Sequence, residues 1–192
     1  AMLMYENEGC GALALALAYV QYLNCAHPVN GDSCGEGPSC RQMSKLIHPD
    51  VHYVFPVNKG PKTSDDKPTS ESYIKYWREL ALANPYFTEA DLQRAIGIES
   101  KNGLIAVAEA KFIINTLSLT AVADGYKAVI LYLPEKMNQE TANRLLKLVE
   151  EPPQKTIFLF ITHAPEKVLQ TIFSRCQSVR VMPLSKEEAA KV

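Results

Sequence analysis

The chain has 192 residues, is 47% apolar and 21% charged, and carries a formal net charge of -1; this is ordinary globular usage, long enough for one α/β domain with a sizeable core. The balance excludes a disordered tail and a global basic field of the kind that dominates nucleic-acid affinity, so any DNA contact is local or made by partners. The apolar run from Ala12 to Leu23 follows Glu6 and Glu8 rather than a lysine or arginine, and Gln21 interrupts it, so it reads neither as a secretory signal nor as a span of ~20 apolar residues.

Met2 to Tyr5 is a short apolar run ending at turn residues, expected to be a buried strand. Ala12 to Asn24 is expected to be helical: its leucines alternate as a strand's would, but alanine is the best helix former and is depleted in strands. Residues 25–40 hold three cysteines among Gly, Pro, Asn and Asp and read as a loop. Val51 to Val57 is a strand candidate. Residues 58–72 (NKGPKTSDDKPTSES) read as a flexible excursion. Ile74, Trp77 and Ala81 then share a helical face, and Thr88 with Asp91 forms a capping signal for a second short helix.

Ile105, Ala108 and Phe112 predict a further helix to about Leu119. Lys127 to Leu133 (KAVILYL) reads as a strand covered on both faces. Asn138 is expected to cap a helix lined by Ala142, Leu145, Leu146 and Val149 and ended by Pro152-Pro153. Thr156 to Thr162 is another buried strand, Pro165 to Phe173 a helix, and Ser178 to Met182 a last strand. Strands alternating with helices imply an α/β fold with a parallel sheet covered on both faces.

The stretch YENEGCGALALALA, residues 5–18, has the strand-to-helix context of a phosphate-binding loop, G-x-x-x-x-G-K-[ST], in which backbone amides cradle phosphates, lysine adds charge and a hydroxyl holds magnesium. Aligned on Gly11, the pattern puts Glu6 at the first glycine, Ala12 at the lysine and Leu13 at the hydroxyl, with Gly9 inside the loop. One charge pair at ~4 Å is worth roughly 4 kcal/mol at an effective dielectric near 20, on the order of a thousandfold in affinity. That attraction is gone, and Glu6 and Glu8 add repulsion towards a polyphosphate. On these residues alone, an unrelated glycine-rich helix start explains the stretch equally well.

Five cysteines, an odd number, favour free thiols or metal ligands in a reducing, cytoplasmic setting over a disulfide framework. Cys25, Cys34 and Cys40 fall within sixteen residues, and a cysteine at 37 would complete C-x8-C-x2-C-x2-C, but Gly37 stands there. Two readings stay open: zinc held by three thiolates with His27 or His48, and a degenerate site of three free thiols.

Several stretches, in this order, resemble the clamp-loader ATPases of bacterial DNA polymerase III, and among them the delta prime type: GCGALALALAYVQYLNC, CGEGPSCRQM followed by HPD at 48–50, NRLLKLVEEPPQKTIFLFIT at 143–162 and TIFSRCQSVRV at 171–181. The resemblance implies a P-loop NTPase-like domain of the AAA+ class, a central parallel sheet with helices on both faces, over residues 1–192. Within it, residues 25–40 form a cysteine loop and residues 58–100 look like an insertion. The family's lid and collar domains are expected to be absent from these 192 residues. Tyr73, Tyr76, Trp77, Tyr86 and Phe87 in the insertion are expected to pack a small core rather than form a partner surface.

The resemblance also implies roles for particular residues. Leu133-Pro134-Glu135 stands where an acidic pair would organise magnesium, so both nucleotide motifs have failed together. Thr162 sits at a sensor position. Ser174-Arg175-Cys176 resembles the motif whose arginine reaches a neighbouring subunit's ATP; guanidinium, always charged and with a fixed fork of donors, suits that task. The expected function is a delta prime-like subunit that is no enzyme on its own, binds no nucleotide, works in a hetero-oligomer with other clamp-loader subunits, and meets DNA and the sliding clamp through that complex. The alternatives are a weakly active ATPase subunit of gamma/tau type and a zinc-dependent interaction module.

Overall fold

The computed structural model describes residues 1–119, 121–183 and 185; the last residues of the expected domain, 186–192, lie outside the described ones. Five strands, β1 (Met2–Tyr5), β2 (Val51–Val54), β3 (Lys127–Tyr132), β4 (Thr156–Thr162) and β5 (Gln177–Arg180), form one sheet in the order β2-β3-β4-β1-β5. Every pairing is parallel, as the alternation of strands and helices predicts. Among the described residues seven α-helices accompany them: α1 (Ala12–Leu23), α2 (Pro38–Met43), α3 (Ile74–Ala83), α4 (Glu89–Ile96), α5 (Val107–Ser118), α6 (Gln139–Glu150) and α7 (Gln170–Phe173).

Alternate strand residues feed two separate cores, because successive side chains of a strand point to opposite faces. Met4, Tyr53, Ile130, Tyr132, Leu159 and Ile161 pack with α1 to α4 on one face. Leu3, Val54, Val129, Leu131, Phe158 and Phe160 pack with α5 to α7 on the other. With helices on both faces, β3 is buried along its whole length; its first residue, Lys127, is tolerated because Nζ donates to the carbonyls of Leu117 and Leu119 at the end of α5. The Asn138 side chain caps α6 by accepting from the Thr141 amide at 2.8 Å, and Thr88 and Asp91 form a reciprocal capping box on α4, both as expected.

Several details differ from the sequence reading. The expected helix from Pro165 to Phe173 is a turn of 3-10 helix, Pro165–Lys167, followed by the short α7, and the last strand runs Gln177–Arg180 rather than to Met182. β2 stops at Val54 because the next amide, of Phe55, bonds to the Ser70 hydroxyl instead of a strand partner. The cysteine loop runs into a short helix, α2, with Pro38 in its first turn. The buried face of α5 is Glu109, Ala110, Ile113 and Leu117, whereas Ala108 and Phe112 are half-buried. Residues 58–72 are tethered at several points: the Tyr73 hydroxyl accepts from the Gly60 amide and donates to the Asn58 carbonyl, and the Ser70 amide donates to the Glu109 carboxylate.

The aromatic residues of the insertion join the main core. Trp77 stacks on Tyr53 and Phe55 of the β2 edge and meets Phe87 edge-on. Tyr73, Trp77 and Phe87 are buried, while Tyr76 and Tyr86 are half-buried.

Candidate functional site

The C-terminal ends of β1, β3 and β4 lie side by side, and the chain leaves β1 towards the β2 edge but leaves β4 towards the β5 edge. Ligands of open parallel sheets bind outside the carboxyl ends of strands at such a change of direction. Here the structure gathers the glycine loop of residues 6–11, Leu133-Pro134-Glu135 and Thr162. The Glu6 amide donates to the Thr162 carbonyl at 3.2 Å, and the Leu133 amide donates to the Ile161 carbonyl at 2.8 Å.

The loop is a working helix start. Gly11 is the residue before α1 and has φ 105°, left-handed backbone that favours glycine. A Cβ there would also meet Cε1 of Tyr86 at 2.8 Å, so a side chain at this position is excluded twice. The first amides of a helix have no partner within it. At α1 the partner comes from upstream: Glu6 Oε2 accepts from the Ala12 amide at 2.6 Å. Ala12 and Leu13 are both buried in the core.

Around this pair the chain closes on itself. His163 Nε2 lies 3.4 Å from Glu6 Oε1. Glu8 Oε1 accepts from the Glu89 amide at the start of α4, and Glu89 in turn pairs with Lys136 at 2.7 Å. The Tyr132 hydroxyl donates to the Phe87 carbonyl. The backbone of the insertion between α3 and α4 thus lies over the glycine loop, with the Tyr86 carbonyl next to Gly9 and its ring on Gly11. The sequence points to Glu8 here only as a source of repulsion, and it does not point to Tyr86; for His163 the signal is its position immediately after Thr162.

The acidic motif carries one carboxylate. Leu133 takes left-handed backbone, φ 60°, an uncommon conformation for a bulky residue, and Pro134 follows it in a turn of 3-10 helix. Glu135 accepts a hydrogen bond from the Thr162 hydroxyl at 2.8 Å, and that hydroxyl accepts from the Ala164 amide. Burial pushes the Glu135 carboxyl above its ordinary range, partly offset by hydrogen bonds to its own backbone amide and from Thr162.

Arg175 is elsewhere. It follows α7, is 33% exposed, and donates through Nε to Glu150 at 3.0 Å and through Nη1 to the Thr171 carbonyl. Such a half-exposed ion pair is worth little stability and is easily exchanged. Its neighbour Cys176 packs against the core, where burial raises its thiol to about 11.

The cysteines form a second constellation at the other end of α1, ~18 Å away by the length of that helix. The sulfurs of Cys25, Cys34 and Cys40 all lie within 4.8 Å of one another, and neither His27 nor His48 joins that group. The Cys34 amide donates to Cys25 Sγ and the Gly37 amide to Cys34 Sγ. The Gly37 amide, with that of Glu36 and the Cys25 thiol, draws the Cys34 thiol down to about 7, while burial pushes Cys40 up to about 11. His48 is buried, and burial holds its imidazole below its ordinary value, against the charge of Asp50; its Nδ1 accepts from the Asp50 amide, and its Nε2 has no hydrogen-bond partner among the described residues. Close, preoriented thiols are the donor set of a structural zinc site.

Comparison with known proteins gives a consistent relationship. The family described as DNA polymerase III, delta subunit, matches residues 1–185. DNA polymerase III subunit delta' of Pseudomonas aeruginosa is 28% identical over 176 residues, 92% of this chain and 41% of that protein. The subunits of the same name from Yersinia pestis and Escherichia coli are 32% and 29% identical, again over 92% of this chain. The chain spans about two fifths of the length of these relatives. A gamma subunit-related protein of DNA polymerase III from Thermotoga maritima superposes with a TM-score of 0.47 at 16% identity, over 97% of this chain and 43% of that one.

Proposed function

As this chain belongs to the DNA polymerase III delta-subunit family, with delta prime subunits as its relatives, we propose that it is a non-hydrolysing subunit of the clamp loader. In this reading it scaffolds the complex and supplies Arg175 to the ATP held by a neighbouring subunit during clamp loading in DNA replication.

One observation carries the non-hydrolysing part: the Glu6 carboxylate occupies the start of α1, bonded to the Ala12 amide. A helix N-terminus is where a phosphate would be received, by free amides and the positive end of the helix dipole. Here an internal anion already uses the first of those amides. A polyphosphate would have to displace Glu6, face Glu8, and enter beneath Tyr86, without a lysine to offset any of this. The loss of one lysine is worth roughly 4 kcal/mol, and like charge within a few ångströms adds repulsion of the same order. Leu13 lacks a hydroxyl for magnesium, and Glu135, already bonded to Thr162, stands alone where two acidic groups would be needed.

The finger role rests on Arg175. Its guanidinium is on the surface, after a short helix, and is held by the exposed Glu150. Exchanging that partner for the terminal phosphate of a neighbour's ATP costs little, and a charged planar fork neutralises the charge that develops as phosphoryl leaves. Thr162 would then be a structural residue that fixes Glu135 rather than a reporter of bound nucleotide.

Cys25, Cys34 and Cys40 are the zinc ligands in this reading. Bound there, the metal would tie the loop after α1 to α2, a structural role that contributes to folding.

Calorimetric titration of magnesium-ATP into the purified full-length protein tests the central point. No binding up to millimolar nucleotide is expected; micromolar binding would replace this reading with that of an ATPase subunit.

A further inference from the structure

We infer that the thiol trio is an open metal site, with three ligands from the chain and a fourth position that takes an exchangeable donor from the adjoining cavity. This rests on the zinc reading above and concerns what completes the site.

Among the described residues no fourth protein ligand is in place. The sulfurs of Cys25, Cys34 and Cys40 lie within 4.8 Å of one another, and no histidine nitrogen or carboxylate oxygen among the described residues lies that close to all three. His48 is badly set for the task. A neutral imidazole that binds metal through Nε2 carries its proton on Nδ1 and donates it, but Nδ1 of His48 accepts from the Asp50 amide. His27, on the exposed loop between Cys25 and Cys34, lines the same cavity but does not come within reach of all three sulfurs.

The missing ligand traces to Gly37. Its backbone, φ -63° and ψ 161°, suits any residue, so no conformational demand requires glycine. A Cβ at this position would have Cys34 Sγ at 3.5 Å, ordinary contact, and meets nothing else within 4 Å. There is room for a side chain here, directed at the thiol cluster, and the chain does not use it.

The room is part of a larger space. A cavity of about 600 Å³ borders all three cysteines, Gly37, Ser39 and His48. Ser39 Oγ and Nε2 of His48, a residue 97% buried, are polar atoms without hydrogen-bond partners among the described residues. Buried polar groups are normally paired, and a small donor bound beside the thiols would lie in the same cavity as both. Water is the default occupant, and a neutral nitrogen donor such as an imidazole, free or from a partner's histidine, is the class that would replace it. The closed four-cysteine arrangement excludes such exchange, whereas three protein ligands leave it open.

The test uses cobalt(II) in place of zinc on the reduced, purified protein, because its absorption reports both thiolate count and the fourth donor. One equivalent of cobalt should bind with a three-thiolate spectrum, and millimolar imidazole should shift the visible bands. His27→Ala and His48→Ala should leave the cobalt spectrum unchanged. Gly37→Cys should raise the thiolate-to-metal absorption by about a third, remove the imidazole response, and tighten zinc binding in chelator competition by roughly a hundredfold or more. Uptake of cobalt with a spectrum indifferent to imidazole, or one altered by either histidine variant, overturns the open position but leaves the metal reading standing. Absence of any stoichiometric uptake overturns both.

Discussion

The carboxylate of Glu6 accepts the amide hydrogen of Ala12 at 2.6 Å, so a residue six positions upstream takes the place at the helix start that a phosphate takes in a phosphate-binding loop. The pair is buried, and its hydrogen bond is charge-assisted, a class worth about 1.5–3 kcal/mol. Glu6→Ala should therefore destabilise the protein by about 2 kcal/mol in denaturant unfolding, and Glu6→Gln, which keeps an acceptor, by less. Equal stability of Glu6→Ala and the parent would remove the carboxylate from this role.

Restoring the lysine should not restore the nucleotide site. Ala12 is fully buried, and Glu6, Glu8 and Tyr86 would still fill or cover the loop. Ala12→Lys is expected to lose roughly 3 kcal/mol through overpacking and to show no rise in melting temperature with magnesium-ATP. An ATP-dependent rise would mean that the charge alone was missing.

The insertion should be a cooperative part of the fold. Trp77 stacks on Tyr53 and Phe55 and touches Phe87, whose backbone receives the Tyr132 hydroxyl. Trp77→Ala should cost about 3–5 kcal/mol and make residues 58–100 the first site of limited proteolysis. Cleavage there at the parental rate would show that the segment is held by other contacts.

Much of this was legible in the sequence. KAVILYL and TIFLFIT declared themselves as strands buried on two faces, and Asn138 and Thr88 announced the helices they cap. The departures from the phosphate-loop and acidic motifs were readable at Ala12, Leu13 and Leu133-Pro134-Glu135. What fills the site instead was not, because the bonds from Glu8 to Glu89 and the contact of Tyr86 with Gly11 join residues about 75–80 positions apart. Helical periodicity misplaced the buried face of α5 for a related reason: Glu109 is drawn inward by a distant amide, that of Ser70.

Glu109 makes a pH test. It is almost fully buried, and burial raises its carboxyl from the ordinary 4.5 to about 7, against the lowering effect of its hydrogen bond from the Ser70 amide, with Glu71 adding like charge. The folded state therefore holds a proton that the unfolded state has released between these values. Its contribution is fully present below pH 4.5 and is lost as pH rises through about 7, on the order of 3 kcal/mol. Denaturant unfolding across this range should show a decline in the parent that Glu109→Gln lacks; parallel profiles for the two proteins would contradict it.

The central claim is that this subunit assists hydrolysis without performing it, and Arg175 is where it can be tested most directly. In a clamp loader reconstituted with the full-length protein, Arg175→Ala should leave assembly intact by size-exclusion chromatography. It should lower DNA- and clamp-stimulated ATP turnover at the neighbouring site by about tenfold or more, against ~10³–10⁵ for arginine fingers elsewhere. Glu150→Ala, which removes only the ion-pair partner of that arginine, should leave turnover near the parental rate. Unchanged ATP hydrolysis by the assembled Arg175→Ala complex would contradict the account.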